Sequence, residues 1–271
     1  EAAARSGKQD RLDVVVAVAR ETNPDATPEI DALVAQFESA RATAREEELL
    51  SAGFFDEWSG SGEFGGSFAT GNSDTVTLAV GISLSRDGLA WRHSLQALAD
   101  LQRSQGVNSQ ERYALSYQGD WKVSDRVYLL GRVGWERNRV AGLKSRFIQA
   151  VGAGYHMVLD SPVSWDLEGG PSLRQSDFYD RTERAAAVRL ASNFNWDITS
   201  GTHFSQNTTV IFETDNNSLI TATALTSRLW GPVSVRLSVN TQYESNPPDL
   251  ARKLDTVTRG TLVYEFGRKP R

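Results

Sequence analysis

The chain has 271 residues, 39% of them hydrophobic, and a net charge of −5. This length allows one large β domain and a smaller element, and the low apolar share suits a membrane barrel, in which only alternate strand residues face lipid. The pI near 5.4 disfavours nucleic-acid binding, and the absence of cysteine excludes disulfides and thiolate metal sites. No apolar run approaches the roughly 18 residues of a membrane helix.

Residues 1–53 are rich in Ala, Glu, Asp and Arg and predict a short periplasmic helical hairpin. A first helix over residues 8–21 should end before Pro24, because the residue preceding a proline is pushed out of the α region. Thr27 is predicted to cap a second helix that has Pro28 at its first position. The segment is interpreted as a partly solvated hairpin, a plug or docking arm, or a disordered leader. The chain starts without Met, so we expect that an export signal has been removed.

After residue 53 the helical spacing gives way to alternation. Between Thr75 and Leu84 large aliphatic residues alternate with small or polar ones, which is the period of a strand with one apolar face. Segments of this kind recur, each close to the roughly ten residues that cross a bilayer at a tilt. They cover residues 56–69, 75–86, 89–102, 110–122, 126–139, 144–158, 163–175, 184–198, 202–213, 218–230, 232–244 and 254–266.

The sequence therefore predicts an all-β transmembrane barrel of about 12 antiparallel up-and-down strands over residues 54–266. The helical segment 1–53 precedes it and a tail, 267–271, follows it. Tight turns are predicted after even strands, and longer loops after several odd strands, at 104–109, 177–182 and 246–253. Short periplasmic turns with longer extracellular loops are typical of outer-membrane barrels.

Aromatic residues are predicted to form two rings at the membrane interfaces, since an indole has an apolar body and a polar N–H. Most tryptophans fall at strand ends beside the N-terminus or the tight turns, whereas Trp135 marks the opposite rim with Phe68, Tyr113, Phe147, Phe212 and Tyr243. The predicted membrane-interface aromatics are Trp58, Trp91, Trp121, Trp135, Trp165, Trp196, Trp230, Tyr264 and Phe266.

Many charged residues have the parity opposite to the lipid-facing set. On lipid, each Arg or Lys near the middle of the membrane would cost about 2–4 kcal/mol, so these side chains are predicted to point inward and to pair. The predicted lumen-facing charges are Arg92, Asp100, Arg112, Asp120, Arg132, Glu136, Arg146, Asp166, Glu168, Arg174, Arg189, Asp197, Arg236 and Glu244. A soluble β-sandwich with these charges in water is the alternative, which strand length and the aromatic rings disfavour.

No catalytic site, cofactor or metal site is predicted. A lipase would need a Ser-His pair, but His93, His156 and His203 fall near the periplasmic strand ends, where hydrogen bonding at the interface or in the lumen is expected. The oxygens of segments 177–180 and 215–217 suit either a divalent cation or ordinary solvated loops.

Several segments resemble the salt-induced outer membrane protein family, YdiY-like chains that are classed as a domain of unknown function. The segments are Gly62–Thr75, Ser109–Tyr113, Tyr128–Arg132, Glu136–Arg139 and Leu167–Gln175. The resemblance spans roughly residues 56–266, and the extra segment with Arg20–Pro24 resembles versions from alphaproteobacteria. It implies an outer-membrane β-barrel and no particular activity.

We expect a bacterial outer-membrane protein of Gram-negative cell envelopes that is not an enzyme. Its expected role is a narrow, porin-like channel or a structural envelope protein with a charged lumen. The alternative is a membrane anchor that binds another envelope protein through its N-terminal helices or extracellular loops. The expected partners are outer-membrane lipid and lipopolysaccharide, with another envelope protein as a further candidate and no nucleic acid.

Overall fold

The computed structural model describes residues 9–51, 53, 56–69, 75–140, 142–159, 162–246 and 253–267. Two helices, α1 (Gln9–Thr22) and α2 (Thr27–Ser51), flank a 3-10 helix at Pro24–Ala26. An ion pair of 2.7 Å joins Arg20 of α1 to Asp31 of α2. Within the described ranges, neither helix has the length and apolar character needed to cross a membrane.

The predicted cap at Thr27 is wrong. Thr27 already has helical dihedral angles, with φ −51° and ψ −44°. Its hydroxyl donates to the carbonyl oxygen of Pro24 at 2.8 Å, whereas a capping hydroxyl would accept from an N–H of the helix. The 3-10 helix Pro24–Ala26 leads directly into α2, so Thr27 is the first helical residue and not a cap in extended conformation.

Twelve antiparallel strands close into an up-and-down barrel, which confirms the predicted fold class. The strands are β1 (Trp58–Ala69), β2 (Thr75–Asp87), β3 (Trp91–Ser104), β4 (Val107–Lys122), β5 (Val127–Asn138), β6 (Leu143–Val158), β7 (Val163–Phe178), β8 (Thr182–Thr199), β9 (Thr202–Glu213), β10 (Ser218–Trp230), β11 (Val233–Glu244) and β12 (Leu254–Phe266). Each strand pairs with its neighbours in the chain, and β1 pairs with β12. The barrel Trp58–Phe266 is one compact unit, and the helical segment belongs to another.

We name the end of the barrel at which β1 begins and β12 ends the terminal rim, and the opposite end the loop rim. At the loop rim the predicted long loop 104–109 is wrong, because β3 and β4 are joined by Gln105 and Gly106 alone. Their φ angles of +49° and +78° suit a two-residue turn whose twist matches that of a hairpin. The segments 70–74 and 247–252 lie outside the described residues.

The ladder that closes the barrel is shorter than its neighbours. In the described strands, β1 and β12 pair from Gly60 with Phe266 to Phe64 with Leu262. By contrast, β11 pairs with β12 from Val233 to Tyr243, and β1 pairs with β2 along its whole length. On the other side of β1, a Cβ atom at Gly60 would lie 2.1 Å from the carbonyl oxygen of Ser83 in β2, so the close approach of β1 to β2 requires a glycine there.

The two faces of the barrel wall differ in chemistry. Large apolar side chains are exposed on the outer face of every strand from β1 to β12. Examples from successive parts of the wall are Phe64, Ile82, Leu115, Val133, Val151, Leu173, Val188, Phe212, Leu237 and Leu262. Residues of the opposite parity carry most of the ion pairs and surround a cavity. The inner face is therefore the candidate site.

Candidate functional site in the barrel interior

A cavity of about 620 Å³ lies inside the barrel. Residues of β1–β6 and β9–β12 line it, and five of these are arginines, namely Arg112, Arg132, Arg146, Arg236 and Arg259. Three carboxylates, Glu63, Glu136 and Asp255, also line it. The volume lies within the range of roughly 300–1,000 Å³ that is usual for small-molecule sites.

Three of these arginines lie on adjacent strands, and we name Arg112, Arg132 and Arg146 the arginine wall. Arg112 Nε donates to Glu136 Oε1 at 2.8 Å, and Arg146 Nη1 donates to Glu136 Oε2 at 3.4 Å. Arg132 Nη1 donates to the neutral Gln118 Oε1 at 3.2 Å. One carboxylate therefore serves two guanidinium groups, and the third binds an amide.

The side of the cavity formed by β9, β10 and β11 has mostly small, neutral side chains, apart from Arg236, which pairs with Glu63. Ala222 and Ala224 of β10 lie between strands that carry Ser205, Asn207, Ser238 and Asn240. Alanine and serine side chains occupy little volume, so the interior on this side stays empty and forms the cavity. The amides and hydroxyls can both donate and accept hydrogen bonds.

Between the cavity and the terminal rim the interior is filled by a packed layer. Buried residues from several strands form it, with exposed fractions of 1% for Tyr128 and Val263 and 3% for Asp120 and Ser234. None of these four side chains lines the cavity. Side chains thus fill this level of the barrel, as they do in small barrels of about eight strands.

Tyr128 is the largest side chain of the packed layer. The guanidinium carbon of Arg92 lies 5.0 Å from its ring centroid, and the His156 ring lies 4.9 Å away. A Cβ atom at Gly154 would lie 2.0 Å from the tyrosine ring, so only glycine leaves room for this position of the ring. The Tyr128 hydroxyl donates to Glu168 Oε1 at 3.1 Å.

Glu168 joins the packed layer to the arginine wall. Its Oε2 accepts from Arg189 Nη1 at 2.9 Å, and its Oε1 accepts from Gln118 Nε2 at 3.0 Å as well as from Tyr128. Only 3% of the Glu168 side chain is exposed. Such a buried carboxylate is tolerated because an arginine and two neutral donors compensate its charge.

Three ion pairs bridge strands that are not neighbours, and one member of each pair was not among the predicted lumen-facing charges. Arg236 of β11 pairs with Glu63 of β1. Arg174 of β7 pairs with Glu213 of β9 at 2.5 Å. Arg259 of β12 lies 3.0 Å from Asp100 of β3. In a closed barrel, such contacts run across the inner face.

Among the predicted lumen-facing charges, Arg112, Arg132, Glu136, Arg146 and Arg236 line the cavity. The packed layer and its surroundings hold other members, with Arg92 paired to Asp120 at 2.8 Å and Asp166 to His156 at 2.5 Å. Asp197 pairs with His203 at 2.8 Å, and Glu244 accepts from Asn216 and Gln242 in the loop-rim region. The role of the whole set as the lining of an open lumen stays a prediction.

Most of the predicted interface aromatics lie near strand ends at the terminal rim. Trp58 and Trp91 begin β1 and β3, and Trp230 and Phe266 end β10 and β12. Trp91 stacks on Trp121 with ring centroids 6.5 Å apart, and the indole of Trp165 donates to Ser192 Oγ at 2.9 Å. Tyr264 and Trp196 are exposed, and Trp135 is half-buried near the loop rim. Their position at a membrane interface stays a prediction.

The three histidines fall into two environments. His156 and His203 bind the aspartates of the inner face, whereas His93 Nδ1 lies 2.8 Å from the hydroxyl of Tyr117 and its ring stacks on Trp91. In the described residues, no group of three His, Cys, Asp or Glu side chains could hold a metal.

The oxygens considered for a loop cation have protein partners. Asp177 accepts from Thr182 at 2.9 Å, Asp180 pairs with Arg181, and the Asn216 amide oxygen accepts from the backbone of Asn246 at 2.9 Å. These contacts join neighbouring loop segments to each other.

Together, the closed sheet, its apolar outer face and its polar inner face define an up-and-down β-barrel of the outer-membrane kind. The chain belongs to the family described as "Protein of unknown function, DUF481", whose model matches residues 62–266. This confirms that the resemblance noted in the sequence lies with a family of unknown function. Its finer assignment to YdiY-like chains of alphaproteobacterial type stays a prediction. No curated protein matches the chain.

Solved structures with a similar fold are outer-membrane barrels of low sequence identity. The NanC porin has a TM-score of 0.48 at 10% identity, covering 76% of this chain and 98% of its own. The KdgM porin, in complex with disordered oligogalacturonate, has a TM-score of 0.45 at 10% identity, covering 76% and 99%. An outer membrane channel from Pseudomonas putida F1 has a TM-score of 0.45 at 10% identity, covering 77% and 94%.

Proposed function

We propose that the protein is a narrow channel of the bacterial outer membrane, in which the arginine wall and the packed layer define the solute path. The observation that carries the proposal is the cavity of about 620 Å³ next to a layer of buried side chains. The apolar outer face supports a location in lipid, because a soluble protein rarely exposes such a continuous apolar surface. The aromatic residues at the terminal rim support a membrane interface there.

The packed layer is the gate of the proposed channel, and Tyr128 is its central residue. The Tyr128 side chain lies over Gly154 and between Arg92 and His156. Truncation of the Tyr128 side chain would open a passage through the layer. The neighbouring ion pairs would persist, because Arg92 binds Asp120 and Arg189 binds Glu168. Conduction through the native chain then requires a displacement of this ring.

Single-channel conductance in a planar bilayer tests the proposal. We expect small steady currents for the full-length chain and a several-fold larger conductance for Tyr128→Ala. The matched control is Tyr128→Phe, which keeps the ring and should conduct as the native chain does. Silence of all three proteins would contradict the channel and favour a structural envelope role, in which the side chains fill the lumen.

A second candidate function is a membrane anchor for another envelope protein. The observation in its favour is the exposed apolar surface of α1, where Val14, Val15 and Val18 are 63%, 49% and 53% exposed. A photo-crosslinker placed at Val15 in living cells should capture one defined envelope protein, and Val18→Asp should abolish this product. A crosslinker at Glu29, an exposed polar position of α2, serves as the control. Absence of a product at Val15 would contradict this function.

A further inference from the structure

The arginine wall carries more positive charge than its neighbours compensate. Among the described residues, Glu136 is the carboxylate that forms ion pairs with the arginine wall, and it is shared by Arg112 and Arg146. Arg146 has a further acceptor in the hydroxyl of Ser176, at 3.0 Å from its Nε, but this group is neutral. A fixed excess of guanidinium groups in an interior of low dielectric is unfavourable until an anion joins it.

Arg132 is the arginine of the wall whose positive charge is least compensated. In the described part of the chain, it forms no ion pair within 4.0 Å, and its hydrogen bond goes to the Gln118 amide. The nearby carboxylates are occupied, since Glu168 binds Arg189 and Asp120 binds Arg92. The other two cavity arginines differ from Arg132, because Arg236 and Arg259 each contact a carboxylate of their own.

The guanidinium groups of the wall can be reached from the cavity. All three residues line it, and 37% of the Arg112 side chain and 23% of the Arg146 side chain are exposed. Guanidinium groups present a planar fork of N–H donors that matches the oxygens of a carboxylate or a phosphate. The amides of Asn207 and Asn240 on the other side can bind hydroxyl groups of the same molecule.

We propose that the cavity is a binding site for small anions with two or more carboxylate or phosphate oxygens, held by Arg112, Arg132 and Arg146. The inference rests on the proposed channel, because the anion would be the solute that occupies its path. The cavity volume admits a molecule of the size of a sugar acid, and its neutral side favours an anion that also carries hydroxyl groups.

Isothermal titration calorimetry of the full-length chain in a zwitterionic detergent at low salt tests the site. Citrate and pyrophosphate are the two probes, which separate carboxylate from phosphate recognition. We expect binding of at least one probe and a loss of about tenfold in affinity for Arg132→Gln, as for one charge-assisted hydrogen bond. Arg112→Gln is the second variant if Arg132→Gln fails to fold, which circular dichroism and heat-modifiable migration reveal.

Arg184→Gln is the matched control. It makes the same charge change on β8, but Arg184 is exposed and pairs in register with Gln175, with the parity of the outer face. It should bind both probes as the native chain does. Binding of neither probe to the native chain, or equal weakening by Arg184→Gln and Arg132→Gln, would overturn the anion site.

Conductance of the same preparations separates the site from the channel. Native protein that binds a probe but carries no current contradicts the channel and supports the anion site. Protein that conducts but binds neither probe contradicts the site and leaves the channel. In a conducting chain, Arg132→Gln should also shift the reversal potential in a salt gradient towards cation preference.

Discussion

The interior of the barrel has two unlike halves. From β3 to β8, long charged side chains are joined in networks around Glu136, Glu168 and Asp120. From β9 through β12 to β2, the inner face carries mostly small residues such as Ala79, Ser205, Ala222 and Ser238, and most of the cavity lies against it. We name these the charged half and the small half.

The difference shows how one barrel combines rigidity with space. In the charged half Glu136, Glu168 and Asp120 each bind two or three donors. None of these three side chains can therefore move without breaking more than one contact. In the small half the ion pairs are individual, as for Arg236 and Glu63, which join β11 to β1 across the intervening β12. Stability should therefore depend on the charged half, whereas changes in the small half should alter the cavity and leave stability nearly unchanged.

The largest expected effect is for Glu168→Gln. The substitution removes the charge that compensates Arg189, and both side chains are buried, with 3% and 13% exposed. We expect a loss of about 3 kcal/mol in the free energy of unfolding, measured by urea titration in lipid vesicles with tryptophan fluorescence. Glu63→Gln in the small half, where 23% of the side chain is exposed, should cost less than about 1 kcal/mol. Equal losses would remove the distinction between the halves.

A smaller effect is expected for Gly154→Ala. The new Cβ would lie 2.0 Å from the ring of Tyr128, and overpacking of this kind costs about 2 kcal/mol. Gly81→Ala in the small half is the control, because its Cβ would meet Glu63 Cβ at an ordinary 3.6 Å. The same urea titration should show little change for this variant. An unchanged urea midpoint for Gly154→Ala would mean that the Tyr128 ring can shift without loss of stability, and would contradict a tightly packed layer.

The smallest expected effect is for Ser176→Ala. Ser176 is fully buried, with 0% exposed, and its Oγ accepts from Arg146 Nε at 3.0 Å. Loss of this acceptor should cost about 1 kcal/mol. Ser238→Ala removes a hydroxyl that lines the cavity and should shift the unfolding midpoint by less than the error of the measurement. A larger shift for Ser238→Ala would reverse the assignment of stability to the charged half.

The strands were predictable because their physical signal is local. Alternation of apolar and polar residues depends on the two-residue period of a strand, and it placed all twelve strands within a few residues of their bounds. The turn at Gln105–Gly106 was missed because the polar residues Asn108 and Ser109 read as loop. In the structure Asn108 pairs with Arg103.

The alternation of outward and inward residues could also have identified the three ion-pair members that were not predicted. Glu63 follows Gly62 and precedes Phe64, Glu213 follows Phe212, and Arg259 differs in parity from Leu262. Glu63 was overlooked because its glycine-rich surroundings show weak alternation. The partners across the interior were not predictable, since a contact such as Arg259 with Asp100 depends on the radius of the closed barrel and on strands distant in sequence.

The short ladder between β1 and β12 has a consequence for assembly. Every other pairing of the described strands joins neighbours in the chain and forms through a local hairpin, whereas Gly60–Phe64 must find Leu262–Phe266 at the far end. Contacts of such long sequence separation form slowly, and meanwhile both segments are open sheet edges that invite pairing with other chains. A chaperone that binds the unfolded chain would therefore need to cover these two short segments, and folding of the barrel is complete when they pair.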